Sequence, residues 1–139
     1  MMRLVTAYMS TGAVLLGIDA IWLSIVGDYL YRPLLGDLLA PQFRLGPAAL
    51  FYLLYVAGVV LFVVLPTLES GRLATSFVYG AAFGLVAYGT YDLTNQATLR
   101  NWPPLLTVVD LLWGSALTAV AATAGVAITR LVIQRWASG

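Results

Sequence analysis

Four long apolar stretches dominate the sequence, and they constrain the fold more than any other feature. Each has close to the roughly 20 residues that a helix needs to cross about 30 Å of hydrocarbon. Only 9% of the 139 residues are charged and 61% are hydrophobic, whereas a soluble domain carries about 25% charged residues. So few charges cannot cover the surface of a small soluble protein. We therefore predict an integral membrane protein with helices at about residues 4–26, 47–65, 74–92 and 105–129.

Helices are the expected spanning structure, because lipid offers no water to the polar groups of the backbone. Residues 1–139 are therefore predicted to form one all-α, four-helix transmembrane bundle.

The connection between the first two stretches has a different pattern. Residues 27–46 alternate apolar with charged side chains and are interrupted by Pro33 and Pro41. This pattern favours a short interfacial helix between helices 1 and 2. The first apolar stretch is longer than a signal-peptide core, so we expect it to be a retained helix.

The residue types that are absent exclude several kinds of site. The chain has no Cys, hence no disulfide or thiolate ligand. It has no His, which removes the usual general base and the commonest zinc ligand. All seven basic residues are Arg, so no lysine can form a Schiff base, and a net charge of +1 offers no surface for nucleic acid. We expect no cofactor and no metal site, and acid–base chemistry would fall to Asp, Glu or Tyr.

The arginines give a weak signal for orientation. Four lie on the side of the membrane that carries the termini and three on the other, so the positive-inside rule places both termini in the cytoplasm. Aromatic residues, among them Tyr31, Tyr52 and Trp102, then crowd the outer membrane–water interface. The two sets of arginines are Arg3, Arg72, Arg130 and Arg135, and Arg32, Arg44 and Arg100.

Three aspartates lie within or at the ends of the apolar stretches. At about 1.5 Å per helical residue, Asp19 lies about 22 Å and Asp92 about 27 Å from the inner boundary. Asp110 lies about 8 Å below the outer boundary by the same measure. All three therefore fall in the outer third of a hydrocarbon layer about 30 Å thick. A charged Asp inside a bilayer costs several kcal/mol, so we expect these side chains to face inward and to share hydrogen bonds, hold protons or meet Arg.

Two interpretations of this cluster stay open. The aspartates are either structural hydrogen-bonding groups that hold the bundle together, or they line an outer-facing polar cavity for a ligand, an ion or a proton. On the third helix Tyr88, Asp92 and Asn95 share a face with Gly80 and Gly84, a GxxxG step that lets a neighbouring helix approach closely. Tyr88 could donate a hydrogen bond to Asp92 one turn later.

An Asp-x-x-Trp motif occurs twice. Asp19 is followed by Trp22 and Asp110 by Trp113, a spacing that places each indole on the same helix face as its own carboxylate. The two helices are antiparallel, so the indoles lie on opposite sides of their aspartates and could wall one pocket. An indole also offers one N–H donor to a carboxylate. The alternative for Trp22 is anchoring at the membrane interface.

The segment "YDLTNQATLRNWP", residues 91–103, carries a resemblance to a known family. Together with "IDAIW", "ALFYLLYVAG" and "VDLLWG", it resembles a bacterial family of small membrane proteins, domain of unknown function 2177. The resemblance covers nearly the whole chain and implies a protein of the bacterial inner membrane, without an established activity. The chain departs from the family pattern at Gln96 and Asn101. The hallmark positions that match are Asp19, Trp22, Tyr91, Asp92, Asn95, Trp102, Pro103, Asp110 and Trp113.

Three functional hypotheses follow. The first is a binding or transport protein for a small amphiphile, a cation, a lipid or a proton, acting as a homo-oligomer. The second is a lipid-modifying enzyme with Asp as general acid or base, against which stands the lack of a metal-ligand motif. The third is an accessory subunit of a larger membrane complex. The candidate binding residues are Asp19, Trp22, Tyr88, Tyr91, Asp92, Asn95, Asp110 and Trp113.

Overall fold

The computed structural model describes residues 1–138 and consists of four long helices joined by short connections. Within this range no β-strand occurs, and the four helices are long and apolar enough to cross a membrane. The predicted all-α four-helix transmembrane architecture is confirmed. The helices are α1 (Met2–Leu38), α2 (Leu45–Ser70), α3 (Leu73–Thr98) and α4 (Pro104–Ala137).

The segment after Val26 follows the first helix without a break. It contains a π-helical turn at Gly27–Tyr31, an α-helical turn at Arg32–Leu35 and a 3₁₀ turn at Gly36–Leu38. The short helix expected between the first two spans is therefore a series of turns that continues α1. Its position in the membrane interface stays a prediction.

A second π-helical turn interrupts α2 at Val60–Val64. It ends two residues before Pro66. The ring of a proline inside a helix clashes with the carbonyl four residues earlier, and proline lacks an N–H to donate. A wider turn accommodates such a residue inside a helix. At the end of α2, Gly71 has a φ of 84°, the left-handed conformation that glycine adopts most readily after a helix.

The α3–α4 pair forms the closest helix packing in the bundle. A Cβ on Gly80 would lie 2.9 Å from the Cα of Ala119, and a Cβ on Gly84 would collide with the carbonyl of Gly114. The GxxxG step therefore allows the two backbones to approach closely, as predicted from the sequence. On the next turn the ring of Tyr88 packs against Gly114, where a Cβ would overlap it.

The buried aspartates and most of the apolar core occupy different parts of the bundle. The apolar core lies toward the termini and includes Leu15, Val59, Leu117 and Val126. The buried aspartates lie toward the opposite end, near the α1–α2 and α3–α4 connections. The three buried carboxylates are therefore at the end of the bundle that is distant from both termini.

Candidate functional site

A cavity of about 420 Å³ lies at the polar end of the bundle and is lined by all four helices. Its size falls within the range of small-molecule sites, roughly 300–1,000 Å³. Three lining side chains, Leu23, Phe51 and Tyr91, are exposed, so the cavity is not sealed. Its lining comprises two carboxylates, seven aromatic side chains and two aliphatic side chains: Asp19, Asp110, Tyr31, Phe51, Tyr52, Tyr55, Tyr88, Tyr91, Trp113, Leu23 and Ala87.

Asp19 of α1 is held by two other helices. The indole N–H of Trp113 donates to its Oδ1 at 3.0 Å, and the hydroxyl of Tyr52 donates to its Oδ2 at 2.5 Å. The side chain is only 6% exposed. Each carboxylate oxygen can accept a second hydrogen bond, so Asp19 keeps acceptor capacity on the side that lines the cavity.

Asp110 of α4 is held from the end of α1. The hydroxyl of Tyr31 donates to its Oδ1 at 2.5 Å, and the indole N–H of Trp22 donates to the hydroxyl of Tyr31 at 3.1 Å. Trp22 also stacks on Trp113, with ring centroids 4.1 Å apart and planes 11° from parallel. The stacked indoles thus connect the hydrogen bonds of Asp110 with those of Asp19.

The two Asp-x-x-Trp motifs interact crosswise. Trp113 donates to Asp19 of the other motif, and Trp22 reaches Asp110 only through Tyr31. The spacing of a single helix predicts which residues share a face, but it does not predict how two faces are rotated against each other. The expected hydrogen bond from an indole to a carboxylate does form, but it joins two helices instead of two residues of one helix.

Asp92 lies behind the cavity lining and is completely buried. Neither of its oxygens accepts a hydrogen bond from any described residue. The predicted bond from Tyr88 to Asp92 is therefore wrong. Gly114 of α4 has no side chain, which leaves room for the ring of Tyr88 from α3. This ring lines the cavity instead of bonding to Asp92.

The remaining candidates lie at or beyond the rim. Tyr91 lines the cavity, is 60% exposed, and contacts Trp102 edge-on with ring centroids 5.7 Å apart. Trp102, expected at the membrane interface, is buried and donates to the hydroxyl of Thr107 at 3.0 Å, where α4 begins. Asn95 is half-buried and lies outside the cavity lining.

Sequence reasoning did not single out three tyrosines that belong to this site. Tyr31 and Tyr52 were expected at the outer interface, but both point inward and bond a carboxylate. Tyr55 shares a hydrogen bond of 2.7 Å with the hydroxyl of Thr118. The sequence did contain a sign of this role. A buried tyrosine hydroxyl usually finds a hydrogen-bond partner, and α2 carries two tyrosines, Tyr52 and Tyr55, one turn apart in a stretch without charges.

The electrostatic character of the site follows from its composition. The cavity lining includes two carboxylates and no basic side chain. In the part of the chain that the structure describes, Arg32 and Asp28 form an ion pair at 2.7 Å, and both side chains are well exposed. No group of three metal-ligating side chains occurs in residues 1–138. Aromatic faces combined with acceptor oxygens suit a positively charged organic group.

Comparison with known proteins identifies the family. No curated protein and no solved structure is significantly similar to this chain. Residues 4–127 match the sequence profile of a family described as predicted membrane protein (DUF2177). This match extends from the first apolar stretch into the fourth and includes every residue that lines the cavity. The chain therefore belongs to the DUF2177 family of membrane proteins.

Proposed function

We propose that the cavity binds a small organic cation with apolar substituents, and that the chain is a multi-pass protein of the bacterial inner membrane. The observation that supports this proposal most strongly is the composition of the lining. Two carboxylates lie among aromatic rings, and no basic residue of the lining neutralises them.

Both parts of such a ligand find complementary groups. An ammonium-type charge is attracted to the faces of Tyr and Trp rings, by about 0.5–1 kcal/mol at exposed sites and about 2 kcal/mol or more when desolvated. The free acceptor positions of Asp19 and Asp110 add Coulomb attraction, which is strong because little water is present. Apolar substituents would contact Phe51 and Leu23 at the rim.

The hydrogen-bond network alone would also be compatible with a purely structural role for the aspartates. Such a role needs bonds between helices, and Asp19 has them with Trp113 and Tyr52. It does not need an open volume beside these bonds. The cavity of about 420 Å³ next to both carboxylates favours ligand binding in addition to stabilisation of the bundle.

The orientation of the site is part of the proposal. The cavity lies at the end of the bundle opposite both termini. The excess of arginine on the terminal side supports cytoplasmic termini, and the cavity would then face the outer half of the membrane. A small binding or transport protein with this arrangement would take up its ligand from outside the cytoplasm.

A pair of isosteric probes tests the proposal. We would titrate purified protein in detergent with choline and with 3,3-dimethylbutan-1-ol, which has the same shape but a carbon in place of the charged nitrogen, and measure binding heat. Choline should bind at least about tenfold more tightly, a difference of about 1.4 kcal/mol. Equal affinities, or no binding of choline, would contradict cation recognition.

A further inference from the structure

Asp92 is the one buried carboxylate of the three without a hydrogen-bond donor among the described residues. Asp19 and Asp110 each receive at least one donor, whereas both oxygens of Asp92 are buried and receive none. An ionised carboxylate without any donor is very costly in a low-dielectric interior. Another group must therefore compensate Asp92.

The helix register identifies the neighbour of Asp92. Tyr88 of α3 packs against Gly114 of α4, and the two helices are antiparallel. One turn further along α3 is Asp92, and one turn back along α4 is Asp110. This register brings the buried carboxyl of Asp110 to the same level as that of Asp92 in the α3–α4 interface. Two ionised carboxylates can only accept, so they form a hydrogen bond with each other only when one of them carries a proton.

No side chain that lines the adjacent cavity supplies a positive charge in place of that proton. Besides Asp110, the titratable residues that line the adjacent cavity are Asp19 and Tyr31 from α1, Tyr52 and Tyr55 from α2, and Tyr88 and Tyr91 from α3. Among them the hydroxyl of Tyr31 donates to Asp110, and none is a cation. Close carboxylates in such a setting commonly share one proton.

We propose that Asp92 and Asp110 share one proton and that a monovalent cation entering the cavity displaces it. This inference rests on the proposed function. In the empty site one O–H bond joins the pair, with one negative charge on the two carboxyls. When the cation binds beside Asp110, that O–H bond breaks, the proton passes to bulk water, and the cation takes over its charge. The exchange is one cation for one proton, and the total charge of the site is unchanged.

Proton release can be measured directly on the intact protein. We would titrate choline, which has no titratable proton of its own near neutral pH, into the protein by calorimetry in two buffers of different ionisation enthalpy. The difference in heat should correspond to about one proton released per cation, and the affinity should rise about tenfold for each unit of pH over the range in which the pair is protonated. Binding with no proton release and no pH dependence would overturn this inference alone and leave the proposed function intact. Absence of choline binding would refute both.

The variant Asp92→Asn locates the proton. Asn cannot share a proton with Asp110, so the variant should bind choline with little proton release and a nearly flat pH dependence. Asp37→Asn, at an exposed position on α1, is the matched control and should release about one proton, as the wild type does. Full proton release by Asp92→Asn would overturn the assignment to this pair.

A spectroscopic readout keeps the test independent of how the variant folds. Infrared difference spectra of the wild-type protein should show the C=O stretching band of a protonated carboxylic acid, and this band should disappear when choline is added. A carboxylic acid band that persists at saturating choline would contradict the exchange.

Discussion

Trp113 on α4 donates its indole hydrogen to Asp19 on α1, at 3.0 Å, and not to Asp110 three residues earlier on its own helix. The same ring stacks on Trp22, whose indole N–H bonds to Tyr31. One side chain thus connects the first and last helices through both a polar and an aromatic contact. These contacts fix the positions of two carboxylates at one end of the bundle.

Replacing Trp113 with Phe should destabilise the protein. Phe keeps an aromatic ring beside Trp22 but cannot donate to Asp19, so the free energy of unfolding should fall by about 1–3 kcal/mol. The measurement is an unfolding titration in mixed micelles. Trp136→Phe is the matched control because Trp136 is 72% exposed, and its effect should stay within about 0.5 kcal/mol. Equal effects of the two substitutions would contradict the role of the Trp113–Asp19 bond.

The hydroxyl of Tyr52 should be energetically coupled to Asp19. We would compare Tyr52→Phe, Asp19→Asn and the double variant in a double-mutant cycle based on the free energy of unfolding. Residues that share a hydrogen bond show coupling of about 0.5–3 kcal/mol, and the bond between these two is short, at 2.5 Å. Tyr79→Phe, at an exposed position on α3, should show no coupling to Asp19→Asn. Additive effects for Tyr52 and Asp19 would show that the bond does not contribute.

Two glycine-to-alanine substitutions should change stability in opposite directions. A Cβ at Gly84 meets the Gly114 carbonyl and lies 2.6 Å from the hydroxyl of Thr118, so Gly84→Ala should destabilise the protein by about 1–3 kcal/mol. A Cβ at Gly17 has no neighbouring atom within 4 Å, so Gly17→Ala should stabilise it by up to about 1 kcal/mol. Thermal unfolding in detergent distinguishes the two. A tolerated Gly84→Ala would contradict the close α3–α4 packing.

The absence of cysteine makes the orientation testable by labelling. Single substitutions Ser70→Cys and Asn101→Cys place a thiol at exposed positions near opposite ends of the bundle. A membrane-impermeant maleimide added to intact cells should label the Asn101 variant and leave the Ser70 variant unlabelled until the cells are lysed. Labelling of the Ser70 variant alone would show the reverse orientation.

The sequence was sufficient to predict the architecture because each helix depends on a local property. About 20 apolar residues in succession define a span, and Gly80 and Gly84 mark where two helices approach. Helix lengths at the polar end were less predictable. The helix α3 continues past Asp92 to Thr98. The end of the apolar stretch predicts the end of the helix, but polar residues can also extend a helix.

The partners within the site depend on how the helices are rotated, and this information is not local. Tyr31 reaches Asp110 from a π-helical turn, which shifts the direction of the following side chains relative to a regular helix. Tyr88 turns toward Gly114 because that position lacks a side chain. The carboxylates could be predicted to lie at a common depth, but their donors could not be predicted from spacing along any one helix.

The affinity of the cavity for a quaternary ammonium ion tests the central claim most directly. We would measure choline binding to the wild-type protein, to Asp19→Asn and to Asp37→Asn, with 3,3-dimethylbutan-1-ol as the uncharged probe. The account predicts that Asp19→Asn weakens choline binding at least about tenfold, leaves the affinity for the alcohol nearly the same, and that Asp37→Asn binds choline as the wild type does. Equal choline affinity of all three proteins would contradict the account.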